Sequence, residues 1–402
     1  MNILFLSIST AIRNISNRGI YPDLLREFAD NNHEVYIVCP SERRFKKQTK
    51  YLISNNIHTL EVKTLNITKS NFIEKGIATI LINYQYSRAI KKYFGRVNFD
   101  LILYVTPPIS LNSLIQKLKI KHNCKTYLML KDIFPQNAVD IGMIKQGSFL
   151  HNYFKRKEKF LYSVSDHIGC MSKANIEYLL CHNEIEKEKL EICPNAINII
   201  NRKTDYSKEE IFDKYNIPQN LPVFLFGGNL GPAQGISFLL KFLSSNKNRT
   251  DCFILIVGSG SKSILIQKWI KLNNPSNIKF INHLEREDYD LLEFFCDVGM
   301  IFLDSRFTIP NFPSRILSYM ECKLPLLIAT DDVSDLGDVA KNNEFGIWSS
   351  SRDLDSFNKN LDYFIKNPQI RKKMGANAYN FLINNYHVSN SYKLITKHLK
   401  VN

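Results

Sequence analysis

The chain has 402 residues, 44% of them hydrophobic, with 53 Lys and Arg against 38 Asp and Glu for a net charge of +15. That length favours two domains of about 200 residues each, and the apolar content, with no low-complexity tract, excludes a disordered chain. No apolar run reaches the roughly 18 residues needed to span a bilayer, so a soluble or membrane-peripheral protein is expected.

The opening residues from Met1 to Leu6 lack the basic start and cleavage site of a secretion signal and read as a strand. From there, short apolar runs alternate with longer helical stretches, the pattern of a parallel α/β architecture. Strands are expected at Asn2–Ser7, Glu34–Cys39, Asp100–Val105, Lys125–Leu130, His167–Met171 and Leu190–Cys193. Helices are expected at Tyr21–Asn31, Ile73–Phe94, Leu111–Lys121 and Phe149–Tyr162. The polar stretch Asn195–Asn220 is the best domain junction. A second series of strands follows at Pro222–Phe226, Phe253–Val257, Ile278–Ile281, Val298–Leu303 and Leu324–Ala329. Its helices are Gly235–Phe242, Lys262–Leu272, Tyr289–Phe295, Ser314–Met320 and a tail from Leu354. Runs such as Phe253–Val257 are apolar throughout, which implies burial on both faces of a sheet covered by helices on each side.

The eight cysteines are scattered, with no CxxC pair, and most sit in or beside apolar runs. Buried reduced thiols in a reducing cytoplasm are expected, and a disulfide framework or zinc site is not. The charge is uneven: residues 1–200 carry 28 Lys and Arg against 17 Asp and Glu, and the remainder 25 against 21. One basic half predicts an anionic partner, and charge alone leaves nucleic acid, anionic lipid and a pyrophosphate-bearing substrate open.

Ligands of doubly wound sheets bind beyond the carboxyl ends of the strands, so the loops after each strand are the informative ones. Three stand out in the second half, each opening a helix: Gly227–Gly235, which includes Gly228, Asn229 and Gln234; Gly258–Gly260; and Asp304–Arg315. Glycines let a backbone approach a ligand closely, and a helix start presents unpaired N–H groups to an anion. Three such loops in one crevice predict a diphosphate cradle, with Arg315 able to make a bidentate phosphate contact.

These motifs resemble the donor-domain motifs of glycosyltransferase family 4, in particular the run from Gly227 to Gly235, the run from Ile254 to Gly260, and the run from Pro313 to Met320. The run from Leu130 to Gln136 is similar to an Arg/Lys-Asp-aromatic-Pro motif of the branch that resembles the WbuB-type transferases of bacterial surface polysaccharide synthesis. Cys193-Pro-Asn-Ala196 resembles a Pro-Asn-Gly segment closing the acceptor domain. The likeness covers about residues 1–390 and implies the GT-B fold: two Rossmann-like, doubly wound parallel-sheet domains facing a central cleft. It assigns residues 1–197 to an acceptor-binding domain and 198–385 to a nucleotide-sugar-binding domain, with 386–402 returning to the first. It further implies metal-independent, retaining transfer from a nucleotide diphosphate sugar, with no cofactor beyond that donor. By position, Asn229, Gln234, Ser314 and Arg315 would surround the phosphates, and the 307–312 backbone would face the sugar. Asn282 and His283 would lie near the base, and Gly19 would approach the phosphates from the other domain. Two departures stand out. The family's paired glutamates, the second of which contacts the ribose, are here Pro310 and Ser318. The usual Arg and Lys of the first donor loop are Asn229 and Gln234, which throws phosphate charge onto Arg315 and Arg306.

Asp132, after a strand and before Phe134-Pro135, reads either as a catalytic carboxylate orienting an acceptor hydroxyl or as a loop hydrogen bond. Asp288-Tyr-Asp290 has the spacing of a metal-holding DxD, but acidic residues in a first helical turn are favoured by the helix dipole, and no metal is expected. Two segments mix basic and aromatic residues, Ser41–Tyr51 and Ser87–Arg96, and suit an anionic membrane surface. No nucleic-acid module accompanies the charge. The expected protein is a cytoplasmic glycosyltransferase, peripheral on the inner face of the membrane. Its expected donor is UDP-linked and its acceptor a saccharide on polyprenyl pyrophosphate, in capsule, O-antigen or exopolysaccharide synthesis. The rivals are a nucleotide-sugar 2-epimerase of the same fold and a silent sugar-nucleotide-binding scaffold.

Overall fold

The computed structural model describes residues 1–67 and 72–399, without the side chains of Phe72, Ile73 and Lys75. The chain divides into two compact units, Met1–Asn198 with Tyr386–Asn402, and Ile199–Asn385. Positions 400–402 of the expected C-terminal segment lie outside the described residues.

The first unit is built on eight strands: β1 (Asn2–Leu6), β2 (Glu34–Glu42), β3 (Lys50–Ser54), β4 (Ile57–Thr64), β5 (Leu101–Thr106), β6 (Lys125–Leu130), β7 (His167–Cys170) and β8 (Leu190–Ile192). They lie in the order β3-β4-β2-β1-β5-β6-β7-β8, and only the β3–β4 pair is antiparallel. Ile3 pairs with both Val35 and Leu101, so β1 runs up the middle of the sheet, and all of β5 is buried. Burial on both faces is what selects these unbroken apolar runs. β3 and β4 were not anticipated. They form a hairpin turning at Asn55, which holds a φ of 50°, a left-handed conformation that Asn tolerates better than most residues. The alternating residues of β3 sit at a sheet edge and lack the buried apolar run of the other strands.

The helix Val388–Thr396 packs against the helix Ile20–Asp30 of the same unit. Val388 and Ile395 enter the core, and the Tyr392 ring meets Phe28 edge-on at 5.2 Å.

The second unit carries a six-stranded, wholly parallel sheet: β9 (Val223–Gly227), β10 (Phe253–Val257), β11 (Ile278–Ile281), β12 (Val298–Phe302), β13 (Leu326–Thr330) and β14 (Gly346–Ser350). Their order is β11-β10-β9-β12-β13-β14, so the winding reverses between β9 and β12. The core beneath is aromatic: Phe226 meets Phe302 at 5.0 Å and 90°, and Phe302 meets Phe357 of the helix Leu354–Lys366 at 5.2 Å. β14, with a half-exposed Trp348, was also not anticipated. The cysteines are all free, and Cys181 alone is exposed. Among the described residues no helix is long and apolar enough to cross a membrane.

Candidate functional site

Where the winding of a parallel sheet reverses, the loops on either side part and leave a crevice. In the second unit these are the loops after β9 and β12. Backbone hydrogen bonds tie the loop after β9 to its neighbours. The Gly228 N–H donates to the Val257 carbonyl at 2.9 Å, Leu230 N–H to Ser259 at 2.9 Å, and Asp304 N–H to Ala233 at 3.1 Å. Two glycines make that closeness possible. A Cβ on Gly258 would stand 1.9 Å from the Gly228 carbonyl oxygen. One on Gly235, at a φ of 53°, would stand 2.7 Å from that of Leu303.

Arg315 lies against this surface, just before the short helix Ile316–Glu321. Its Nη2 donates to the Gln234 side-chain oxygen and, at 3.4 Å, to the Asn229 carbonyl. The guanidinium lies over the Phe226 ring at 4.5 Å, and a Cβ on Gly228 would be 3.7 Å from Nη2. Nη1 is enclosed and has no hydrogen-bond partner. No carboxylate lies within ion-pair distance among the described residues. Burial pushes its pKa below the usual arginine value, yet an arginine stays protonated at any physiological pH. This half-buried cation is thus met by a carboxamide, a carbonyl and a ring face, with the Tyr289 and Tyr319 phenols nearby, and by no carboxylate.

Arg306 differs. Its Nε and Nη2 grip the two oxygens of Asp304 at 2.8 and 2.9 Å, and this contact holds the Asp304 carboxyl below its ordinary range against the cost of burial. Its charge is already matched. Asn229 and Ser314 are exposed at the site. His283 is largely exposed, 3.4 Å from Glu285.

Ser318 follows Arg315 by one turn. Its hydroxyl is 2.8 Å from Glu293 Oε1, on the helix Arg286–Phe294, and 3.0 Å from the Arg315 carbonyl. Glu293 is fully buried, which raises its pKa against the pull of Arg202. It also accepts from the Tyr289 hydroxyl at 3.2 Å, and that hydroxyl fills the space beside Gly227, where a Cβ would meet it at 2.0 Å. Arg202 completes the cluster, at 3.1 Å from Glu293 and 2.7 Å from Glu321. Tyr289, Glu293 and Arg202 were missed from the sequence. The one available signal was a glutamate inside the apolar run Leu291–Phe295. Asp288 pairs with Lys214 at 2.7 Å, and Asp290 lies 3.6 Å from Arg286. Among the described residues no cluster of three metal-ligating side chains occurs.

In the first unit, Gly19 precedes the helix Ile20–Asp30, and its N–H donates to Asp23 at 3.1 Å. Asp132, after β6, accepts from Asn137 Nδ2 at 2.6 Å through Oδ2, while Oδ1 is enclosed and without a partner. Burial lifts its pKa to about 6. Beside it, Lys131 Nζ donates to the Cys193 carbonyl at 3.0 Å. Both readings of Asp132 thus keep a basis: one oxygen makes a loop hydrogen bond, the other is an unused acceptor.

A "Glycosyltransferase Family 4" model matches residues 22–200, and a "Glycosyl transferases group 1" model matches residues 207–381. The chain belongs to the family 4 glycosyltransferases. The transferase is 23% identical over 311 residues to the probable glycosyltransferase WbjE of Pseudomonas aeruginosa, covering 75% of this chain and 74% of that one. Among solved structures it resembles sucrose-phosphate synthase from Thermosynechococcus elongatus, at 14% identity and a TM-score of 0.76 over 99% of this chain and 98% of the other. It also resembles Anabaena HepE in complex with UDP-glucose, at 15% identity and a TM-score of 0.71 over 99% of both. Such identities speak for the fold alone: the transferase is of the GT-B type.

Proposed function

We propose that the transferase moves a sugar, with retention, from a UDP-sugar to a saccharide carried on polyprenyl pyrophosphate. The acceptor would lie at the inner face of a cytoplasmic membrane, in surface polysaccharide synthesis of the WbuB-like kind. The observation that carries the donor half is Arg315, a half-buried guanidinium with no carboxylate partner and one unbonded Nη1, beside two loops pressed together by glycines. A diphosphate supplies the missing negative charge. HepE, solved with UDP-glucose, supports uridine as the base.

Residues 198–385 hold the donor in this reading, with Asn229, Gln234 and Ser314 around the phosphates. Gly258 lets the loops close in, Ser318 lies toward the ribose and His283 toward the base. Arg306 adds to the phosphate environment. Residues 1–197 bind the acceptor, whose hydroxyl is oriented by the unused oxygen of Asp132. No metal is required in this reading, because stabilisation of the departing diphosphate falls to the fixed charge of Arg315.

The test is a thermal-shift panel with UDP, GDP, ADP and CMP, repeated with Arg315→Ala. The expected result is a clear shift with UDP that the variant loses. A shift with none of the four sinks the donor assignment.

A further inference from the structure

Of the rings in the two basic-aromatic segments singled out in the sequence, Phe45 is partly exposed but capped by cations, and others turn inward. The Phe45 ring lies under the guanidinium groups of Arg13 and Arg44 at 4.5 and 4.9 Å, Tyr51 packs against Phe94 at 5.6 Å, and Phe94 is buried. The apolar side chains that do face outward lie elsewhere. On the helix Phe72–Tyr93, the residues Ala78, Ile82, Tyr86, Ala89 and Ile90 are buried and define its inner face. Opposite them Ile77, Ile80, Leu81 and Tyr84 are 48%, 66%, 39% and 65% exposed. Their spacing puts them on one stripe, and the same stripe continues into exposed Arg88, Lys91 and Lys92. None of those three cations is in an ion pair among the described residues, and the helix's acidic Glu74 is bound to Arg43 at 3.2 Å.

A second helix repeats the pattern. Phe149–Val164 opens with Phe149, Leu150 and Tyr153 exposed, Phe149 by 88%, followed by exposed Arg156 and Lys159. One helix connects parallel strands β4 and β5, the other lies between β6 and β7, so both begin at the carboxyl edge of the sheet. The helix Asn112–His122 packs between them, which sets all three in one layer. Apolar side chains thus gather at one edge, with cations one to two turns behind.

We propose that this layer seats the first unit on an anionic bilayer, the apolar stripe entering the acyl boundary and the cations level with the lipid phosphates. This deepens the membrane contact of the proposed function and rests on it. Single exposed apolar residues are ordinary, but a contiguous stripe is not, and cations stacked behind it match anionic headgroups. A second copy of the chain fits worse, because a two-fold contact through this face would set like charges against each other.

The experiment is co-sedimentation of the full chain with phosphatidylcholine vesicles and with mixed phosphatidylcholine–phosphatidylglycerol vesicles. Binding is expected to the mixed vesicles only, and to weaken with salt. Ile80→Ser with Tyr84→Ser should lower it about tenfold, and Arg88→Gln with Lys91→Gln by at least as much. As a gain of signal, the fluorescence of Tyr84→Trp should shift to the blue on the mixed vesicles and be quenched by brominated acyl chains. Variants that bind as well as the unaltered chain, or a Tyr84→Trp signal blind to the bromines, overturn the proposal. So does loss of a dimer in Ile80→Ser with unchanged vesicle binding. UDP thermal shifts on the same samples separate the two readings, since donor binding with no vesicle binding removes only the membrane inference.

Discussion

Two arginines of the second unit show how differently one side chain can be used. Arg202 is surrounded by carboxylates, with Glu321 at 2.7 Å, Glu293 at 3.1 Å and Asp290 at 3.8 Å, and those neighbours, outweighing burial, raise its pKa. Arg315 is half-buried against a carboxamide, a carbonyl and a phenyl face, and that burial lowers its pKa. The first charge is compensated within the fold, and the second is the one the proposed donor diphosphate would meet.

The sharpest way to break that contrast is Arg202→Ala. Removing one partner of a buried ion cluster strands the others, at a cost of roughly 3–5 kcal/mol. In a unit of this size that lowers the melting temperature by about 10 °C. Calorimetry showing no change would make the cluster dispensable. Arg315→Ala should do the reverse, with a melting temperature close to the parent and turnover down about 10²–10³-fold, as for loss of one transition-state donor. Arg315→Lys should recover only part of it, because a point charge cannot reproduce the planar fork.

Asp132 gives a pH-dependent comparison. Its folded-state pKa, near 6, lies above its ordinary value of 3.8, so the folded chain holds a proton that the unfolded chain has released between those values. That contribution to stability is present below about pH 4 and lost as pH rises through 6. Asp132→Asn should therefore match the parent's melting temperature at low pH and exceed it at pH 7. If the carboxylate orients the acceptor, kcat/KM in the parent should also fall below pH 6, and that limb should vanish in the variant. The smallest expected effect is Arg306→Ala. The pair with Asp304 is half-exposed, so the melting temperature should fall by no more than the change expected for about 1 kcal/mol. A turnover loss equal to that of Arg315→Ala would put the two arginines on the same footing.

Much of the scaffold was legible in the chain. Every strand read from an apolar run is present; for central strands such as β5, β9 and β10 the reason is that burial on both faces needs a run of consecutive apolar residues, which little else imitates. The strands that escaped notice, β3, β4 and β14, include one partly exposed edge of each sheet, where one side or more meets water and the run is broken. The short helices Lys173–His182 and Lys208–Lys214 escaped for a similar reason, with only two buried side chains each to set a period. In the first unit the basic-aromatic segments were visible, but which rings turned inward was not.

Composition and local pattern were enough to determine a parallel α/β chain with glycine-bearing loops at strand ends, since hydrophobic periodicity and turn chemistry are read over neighbouring residues. Only the tertiary structure decided which charges find partners. Ser318 and Glu293 are 25 positions apart, Gln234 and Arg315 are 81, and Arg202 and Glu321 are 119. Coulomb energy and desolvation depend on distance and burial in space, and neither is written in the spacing along the chain.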